Sequence, residues 1–466
     1  MKKGKYRQGL IYRVFRLYML YIHDCFFYKK VYRININNVP ARGTPVVLVS
    51  NHQNCLCDPL TLVFTLTDRK LNEFVRSDVF RVHPLITKIL NYLGLSPAFR
   101  LDVEGKELLW KNKNMLKKSE EKLLAGETVL MYPEGRHQGK HWLGDFTLGY
   151  TKLAFETAAL GNFEKDIFIL PCCNHYSSYK DIQQEVIVKF GTPVSLKPYY
   201  ELYQTKPRTA QLEVNAIVKK QVIDLILHIS DLENYKAIDF LRNTYGRKFA
   251  EKKGFRADYL PDKLASDKLF VEKLQEAKEL RADGPPDKEL QASSSIQQIY
   301  EDALTLERET KKLKVRDDNF DRTPGWLSLV LAILGLVVLC PVWLFSLWPN
   351  IIIYLLPSYF MRRIKDKMFH NSILLGISGL ATMPLLYLLT FIIVWIFINF
   401  WVASIYALIL PWLGLFAYYY WRFAVRTGQN IRYRRLAETV AGRKVRDLRN
   451  KVNERLNHLL LEETQK

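Results

Sequence analysis

Apolar and polar positions change their pattern several times along the chain. Between residues 31 and 200, short runs of Val, Ile, Leu and aromatic residues alternate with segments whose apolar positions recur every three or four residues. The runs at 31–36, 46–50, 128–132, 166–170 and 185–190 predict strands, and 58–67, 106–125 and 148–160 predict helices. Such alternation predicts an α/β domain over 30–205, a central mixed sheet flanked by helices. Residues 206–322 are charged and read as helical, broken by the Gly284-Pro285-Pro286 turn and the Ser293-Ser294-Ser295 run. They carry no catalytic pattern, and a helical connector is expected there.

Two uncharged stretches follow, 36 residues over 325–360 and 51 over 371–421. A helix rises about 1.5 Å per residue and a bilayer core is about 30 Å thick, so the second stretch can span twice with a turn near Asn399. The first is long for one helix and short for two; Pro341, Pro349 and Pro357 favour a broken or re-entrant hairpin. A C-terminal all-α transmembrane region of two hairpins, about four segments over 323–421, is the expectation. Arg362, Arg363, Lys365 and Lys367 flank the first stretch and Arg422, Arg426, Arg432, Arg434 and Arg435 follow the second, which places both flanks in the cytosol. Residues 422–466 read as a basic helical tail, amphipathic over 436–460.

The N-terminal 29 residues have another texture, cations interleaved with Ile, Leu, Phe and Tyr. Ten Lys or Arg precede residue 44 against the single acid Asp24, the pattern of a helix lying among lipid headgroups. It is no signal peptide, because Arg13, Arg16, His23 and Asp24 interrupt the apolar run. The catalytic part is therefore expected to stay cytosolic in a multi-pass protein, with a bacterial cytoplasmic membrane favoured over a eukaryotic endomembrane.

Charge narrows the partner. Lys and Arg number 68 against 47 Asp and Glu, a net +21 that suits a phosphate-bearing ligand. The uncharged stretches make that ligand anionic membrane lipid rather than nucleic acid. Those stretches contain no Asp, Glu, Lys, Arg or His, which argues against a solute path. The six cysteines form no spaced framework and no C-x-x-C, so they read as buried thiols in a reducing compartment, with no metal site.

Four segments carry candidate chemistry. Ser50-Asn51-His52-Gln53-Asn54-Cys55-Leu56-Cys57-Asp58-Pro59 follows a buried strand, with Asp58 and Pro59 in the positions that open a helix. Asp58 is the one carboxylate between Thr44 and Thr67, well placed to hold one nitrogen of His52 and leave the other as a base. An imidazole with an ordinary pKa of about 6.5 suits that task at neutral pH. In Gly94-Leu95-Ser96-Pro97-Ala98-Phe99-Arg100, the Arg follows a turn and can fork onto a phosphate. Met131-Tyr132-Pro133-Glu134-Gly135-Arg136-His137 turns sharply after a strand, exposing Glu134 and Arg136 and freeing backbone N–H groups for an anion. Ile169-Leu170-Pro171-Cys172-Cys173-Asn174-His175-Tyr176 runs from a buried strand into a Pro, where it would wall an acyl channel; His175 reads as a packing residue rather than a second base.

Together these segments resemble the blocks of the PlsC-like glycerolipid acyltransferase family, in order and at similar separations over residues 30–200. Asn51-His52 with Asp58 looks like the family's catalytic pair, Arg100 its phosphate-binding Arg, Tyr132-Pro133-Glu134-Gly135 its third block, and Pro171 its fourth. The resemblance implies transfer of a fatty acyl group from acyl-CoA or acyl-ACP to lysophosphatidic acid, with His52 as general base and Arg100, Glu134, Gly135 and Arg136 on the glycerol phosphate. No cofactor beyond the acyl donor is implied. Five residues separate His52 from Asp58 where the usual family pattern has four, and the longer form resembles glycerol-3-phosphate acyltransferases. That acceptor is the alternative within the family; a non-catalytic lipid-binding membrane protein is the alternative outside it.

Overall fold

Val46–Ser50 is apolar up to its last residue and wholly buried, as expected of a central strand flanked on both sides by parallel neighbours. The coordinates are a computed structural model that describes residues 9–77, 80, 84–98, 110–135, 137, 139–179, 181–279, 286–321, 324–364 and 369–461. The described strands are β1 (Tyr28–Ile34), β2 (Val46–Ser50), β3 (Leu71–Arg76), β4 (Leu95–Ala98), β5 (Thr128–Met131), β6 (Phe168–Tyr176), β7 (Gln184–Phe190) and β8 (Val194–Ser195). They form one sheet in the order β1-β7-β6-β2-β5-β3-β4, with β8 beside β6. Pairing is parallel except where β7 and β8 run against β6, so the sheet is mixed.

The chain divides into two compact units, Met1–His228 with Pro357–Leu380, and Ile229–Leu356 with Ala381–Lys466. In the first unit α1 (Leu10–Tyr21) precedes β1, α2 (Cys57–Thr65) follows β2, α3 (Pro84–Leu93) leads into β4, and α4 (Trp110–Leu124) leads into β5. Helix α5 (Gly149–Leu160) packs on Val47, Val49, Val129 and Ile169 through Leu153, Ala154 and Phe155. Helix α6 (Pro207–Leu225) follows the expected end of this domain at 205. Its Ala210, Val214 and Val218, spaced by four, join the same core. Helix α1 buries Tyr12 and Met19 and leaves Leu10, Ile11, Val14 and Leu17 exposed along its other side.

The second unit is helical. Among its helices are α7 (Tyr235–Thr244), α8 (Leu260–Glu279) and α9 (Pro286–Leu313), within the span read as a charged connector, and α10 (Val440–Leu461), within the span read as a basic tail; Ile238, Phe270 and Val452 on them are buried. Arg242 on α7 is fixed by Asp267 at 2.8 Å and Asp239 at 2.7 Å, and Arg449 on α10 by Asp317 at 2.7 Å.

Three helices of the described chain are long and apolar enough to cross a membrane: Trp326–Arg363, His370–Phe397 and Phe400–Leu436. The hairpin expected over 325–360 is therefore corrected to one continuous 38-residue helix. A helix in an apolar medium keeps the rest of its hydrogen-bond ladder across a Pro, because no water can satisfy an unwound backbone. The break between the other two falls at Asn399, whose side chain caps the following helix by accepting from the Val402 amide at 2.9 Å. Asn350 ties this region together: its amide donates to the Ser346 and Leu410 carbonyls at 3.0 and 3.4 Å and accepts from the Tyr387 hydroxyl at 2.8 Å.

Candidate active site

Strands β2 and β5 lie side by side in parallel with Val49 opposite Met131, so the loops that leave their C-terminal ends emerge together. Ligand sites of open α/β sheets form at such ends. The β2 loop turns through Cys55, whose φ of 46° is left-handed, and re-enters helix at Cys57. Asp58 thus sits in the first turn of α2, not at its N-cap. Its carboxylate folds back onto the loop instead of capping the helix. Oδ2 accepts from the Gln53 and Asn54 amides, both at 2.8 Å, and from His52 Nδ1 at 2.9 Å. Oδ1 accepts from the Tyr176 hydroxyl at 2.7 Å. The Asp58 side chain is fully buried, whereas that of His52 is 22% exposed. A donor role for Nδ1 leaves Nε2 as the acceptor nitrogen.

The β5 loop holds the other side of His52. Glu134 Oε1 accepts from the His52 amide and Oε2 from the Gly144 amide, each at 2.9 Å. Both oxygens expected on substrate are engaged by backbone, so Glu134 positions the His52 loop. Burial raises its pKa, and the two amides and His52 pull the other way. Gly135 has a φ of 66°, and a Cβ there would meet none of the described residues within 4 Å, so on their side this backbone is open to approach. Tyr132 stacks on the His52 ring with centroids 4.4 Å apart, and the His137 ring meets it edge-on at 5.8 Å. Arg100 and Arg136, the two expected phosphate ligands, lie outside the described residues.

Several supports of this site carried no expected role at the candidate base. Tyr176 reaches Asp58 across 118 positions. Asn174 donates to the Asp58 carbonyl at 3.0 Å and exchanges two hydrogen bonds with Asn51, at 2.9 and 3.0 Å. The fourth segment, expected to wall an acyl channel, braces the His52 loop through Asn174. His175, on the alternate face of β6, has its ring 5.7 Å from that of His141. The segment after Arg363 contributes too: Ser372 Oγ accepts from the Leu56 amide at 2.9 Å, and Phe369 meets His137 edge-on at 5.5 Å. Glu73 on β3 is buried with its pKa raised to about 8, first by burial and then by the charge of Asp58. The six cysteines are free thiols.

The span from β1 through β6 that builds this loop cluster, residues 30–175, matches the family model named Acyltransferase. These residues form an acyltransferase-family domain. Within the acyltransferase domain lie His52, Asp58 and Glu134, together with Asn174, while Tyr176 stands one residue beyond the matched span. The chain is 33% identical over 129 residues to a chloroplastic 1-acyl-sn-glycerol-3-phosphate acyltransferase of Arabidopsis thaliana, covering 27% of this chain and 33% of the relative. It is 30% identical over 122 residues to a chloroplastic enzyme of the same name from Brassica napus, covering 26% and 33%. The chain thus spans about one third of the length of these curated relatives. The crystal structure of the 1-acyl-sn-glycerophosphate acyltransferase PlsC from Thermotoga maritima aligns with 45% of this chain and 77% of that one, at 15% identity and a TM-score of 0.31.

Proposed function

We propose that the chain is a membrane-bound O-acyltransferase that moves a fatty acyl group from acyl-CoA or acyl-ACP to the free hydroxyl of lysophosphatidic acid. The observation that carries this reading is the 2.9 Å contact between His52 Nδ1 and a buried carboxylate, with the ring still partly open. In this reading Nε2 takes the acceptor's hydroxyl proton as that oxygen attacks the thioester carbonyl. A C–O bond forms, the C–S bond breaks, and the departing thiolate takes the proton from His52. No acyl-enzyme is required. Arg100 and Arg136 hold the acceptor phosphate, beside the open backbone at Gly135. The exposed row on α1 and the three apolar helices bring the protein to its lipid substrate.

Lysophosphatidic acid is favoured because both plant relatives are named for that acceptor. The test uses the full chain in detergent, isotope-labelled acyl-CoA or acyl-ACP, and lysophosphatidic acid or glycerol 3-phosphate. Mass spectrometry should show labelled phosphatidic acid, and His52→Ala should lower the rate by roughly a hundredfold to ten-thousandfold. Product from glycerol 3-phosphate alone would move the reading to that acceptor, and full activity in His52→Ala would end it.

A further inference from the structure

The helix Phe400–Leu436 changes from apolar to basic after Trp421. Beside its basic part the second unit holds an open cavity of about 570 Å3. Val425, Gly428, Gln429, Arg432 and Arg435 line it at three- and four-residue spacing, so one helix face passes from apolar to cationic. Lys314 lines it from the end of α9. A φ of 52° at Lys314 turns the chain there, and Val315 packs next to it against Tyr433 and Ala437. Among the described residues, no carboxylate lines the cavity. Of the acids close in sequence, Asp318 is paired with Arg316 and Arg426, and Asp317 and Asp321 with Arg449, while the exposed Glu438 is not among the described residues that line the cavity. Arg432 uses only Nε, on the Leu313 carbonyl at 3.0 Å. Among the described residues, Lys314 and Arg435 have no ion pair, and the buried Oε1 of Gln429 has no hydrogen-bond partner.

Three cations without a counter-ion call for an anion, the apolar side calls for an amphiphile, and an orphan amide oxygen calls for a hydroxyl donor. We propose that this cavity binds the headgroup of an anionic glycerophospholipid. The phosphate lies among Lys314, Arg432 and Arg435, a headgroup hydroxyl donates to Gln429, and the lipid continues along Val425. This site belongs to the helical unit and does not depend on the acyl-transfer reading.

The test is native mass spectrometry and thermal unfolding of the full chain in a neutral detergent, with phosphatidylglycerol, phosphatidylcholine or inorganic phosphate added. Phosphatidylglycerol should persist as a one-to-one adduct and raise Tm, while the other two at equal concentration do neither. Lys314→Gln combined with Arg435→Gln should weaken that binding roughly thirtyfold, the effect of two cations at an anionic lipid. Gly428→Leu is the independent variant, because a Cβ there meets nothing within 4 Å and Leu favours helix. It should fill the cavity, lose the adduct and keep the lipid-free Tm, whereas His52→Ala should bind lipid as the wild type does. Equal retention of phosphatidylglycerol by wild type and both variants overturns the proposal. So does equal retention of phosphatidylcholine, or displacement of the lipid by inorganic phosphate at the same concentration.

Discussion

Asp58→Asn preserves shape while replacing one carboxylate oxygen with an amino group, and so isolates the charge behind His52. Oδ2 receives three N–H donors, from His52, Gln53 and Asn54. An amino group cannot sit there, so the new amide turns its NH2 toward Tyr176, whose hydroxyl rotates to accept. The His52 contact survives as a neutral hydrogen bond. In the proposed reaction, what is lost is the negative partner of the imidazolium that forms as the hydroxyl proton is taken. Two unit charges about 4 Å apart in an effective dielectric of about 20 interact by about 4 kcal/mol. Most of that acts only after proton transfer, so kcat should fall roughly a thousandfold with little change in acceptor KM. Spectrophotometric release of free thiol at saturating acceptor measures it, with Tm followed in parallel. A variant within tenfold of wild-type kcat at unchanged Tm would refute the assignment of Asp58 to the base.

Three further outcomes follow from the same geometry. Tyr176→Phe leaves one buried oxygen of Asp58 without its donor, so it should cost about 1–3 kcal/mol of stability, read as a lower Tm; an unchanged Tm would remove Tyr176 from the network. Glu73 has a folded pKa of about 8 against an ordinary 4.5, so its stabilising contribution is complete below pH 4.5 and is lost as pH rises through 8. The slope reaches at most about 1.4 kcal/mol per pH unit, and Glu73→Gln should flatten the dependence of Tm between about pH 5 and about pH 8.5. Asn350→Leu removes three hydrogen bonds around Ser346, Leu410 and Tyr387, about 2 kcal/mol in all at the modest values found within membranes. Because a Cβ at Gly414 would lie 2.9 Å from Asn350 Oδ1, Gly414→Ala should destabilise the wild type more than it destabilises Asn350→Ala; equal effects in both backgrounds would contradict the contact.

Legibility followed burial chemistry. Strand β2 reads directly from Val46-Val47-Leu48-Val49, because a central parallel strand is apolar on both faces. Strand β3 does not, since Leu71-Asn72-Glu73-Phe74 places an amide and an acid inside. Asn72 is tolerated there by donating to Glu127 at 2.7 Å, a partner 55 positions away that no local pattern announces. Strand β4 is four residues long and contains Pro97, which suits an edge and looks like a loop. The place of α6 is hidden for a related reason: it is charged on its outer side, and its Ala210-Val214-Val218 stripe is recognisable only once the core it covers is known.

The same logic explains why the longer interval between His52 and Asp58 leaves the pair intact. On a helix, residues six apart point in different directions, and one inserted position would rotate the acid away from the ring. Here the two residues lie on opposite limbs of a turn. Their separation is set by where Asp58 Oδ2 gathers the Gln53 and Asn54 amides, and those amides travel with the ring. Between them Cys55 stands in a left-handed conformation that turns the chain back toward α2. The distance from Nδ1 to Oδ2 remains 2.9 Å. Spacing in the sequence therefore constrains this pair less than the loop's own hydrogen bonds do, and those depend on an oxygen that must stay an acceptor. That makes the Asp58 carboxylate, more than the count of residues before it, the feature on which the geometry of His52 depends.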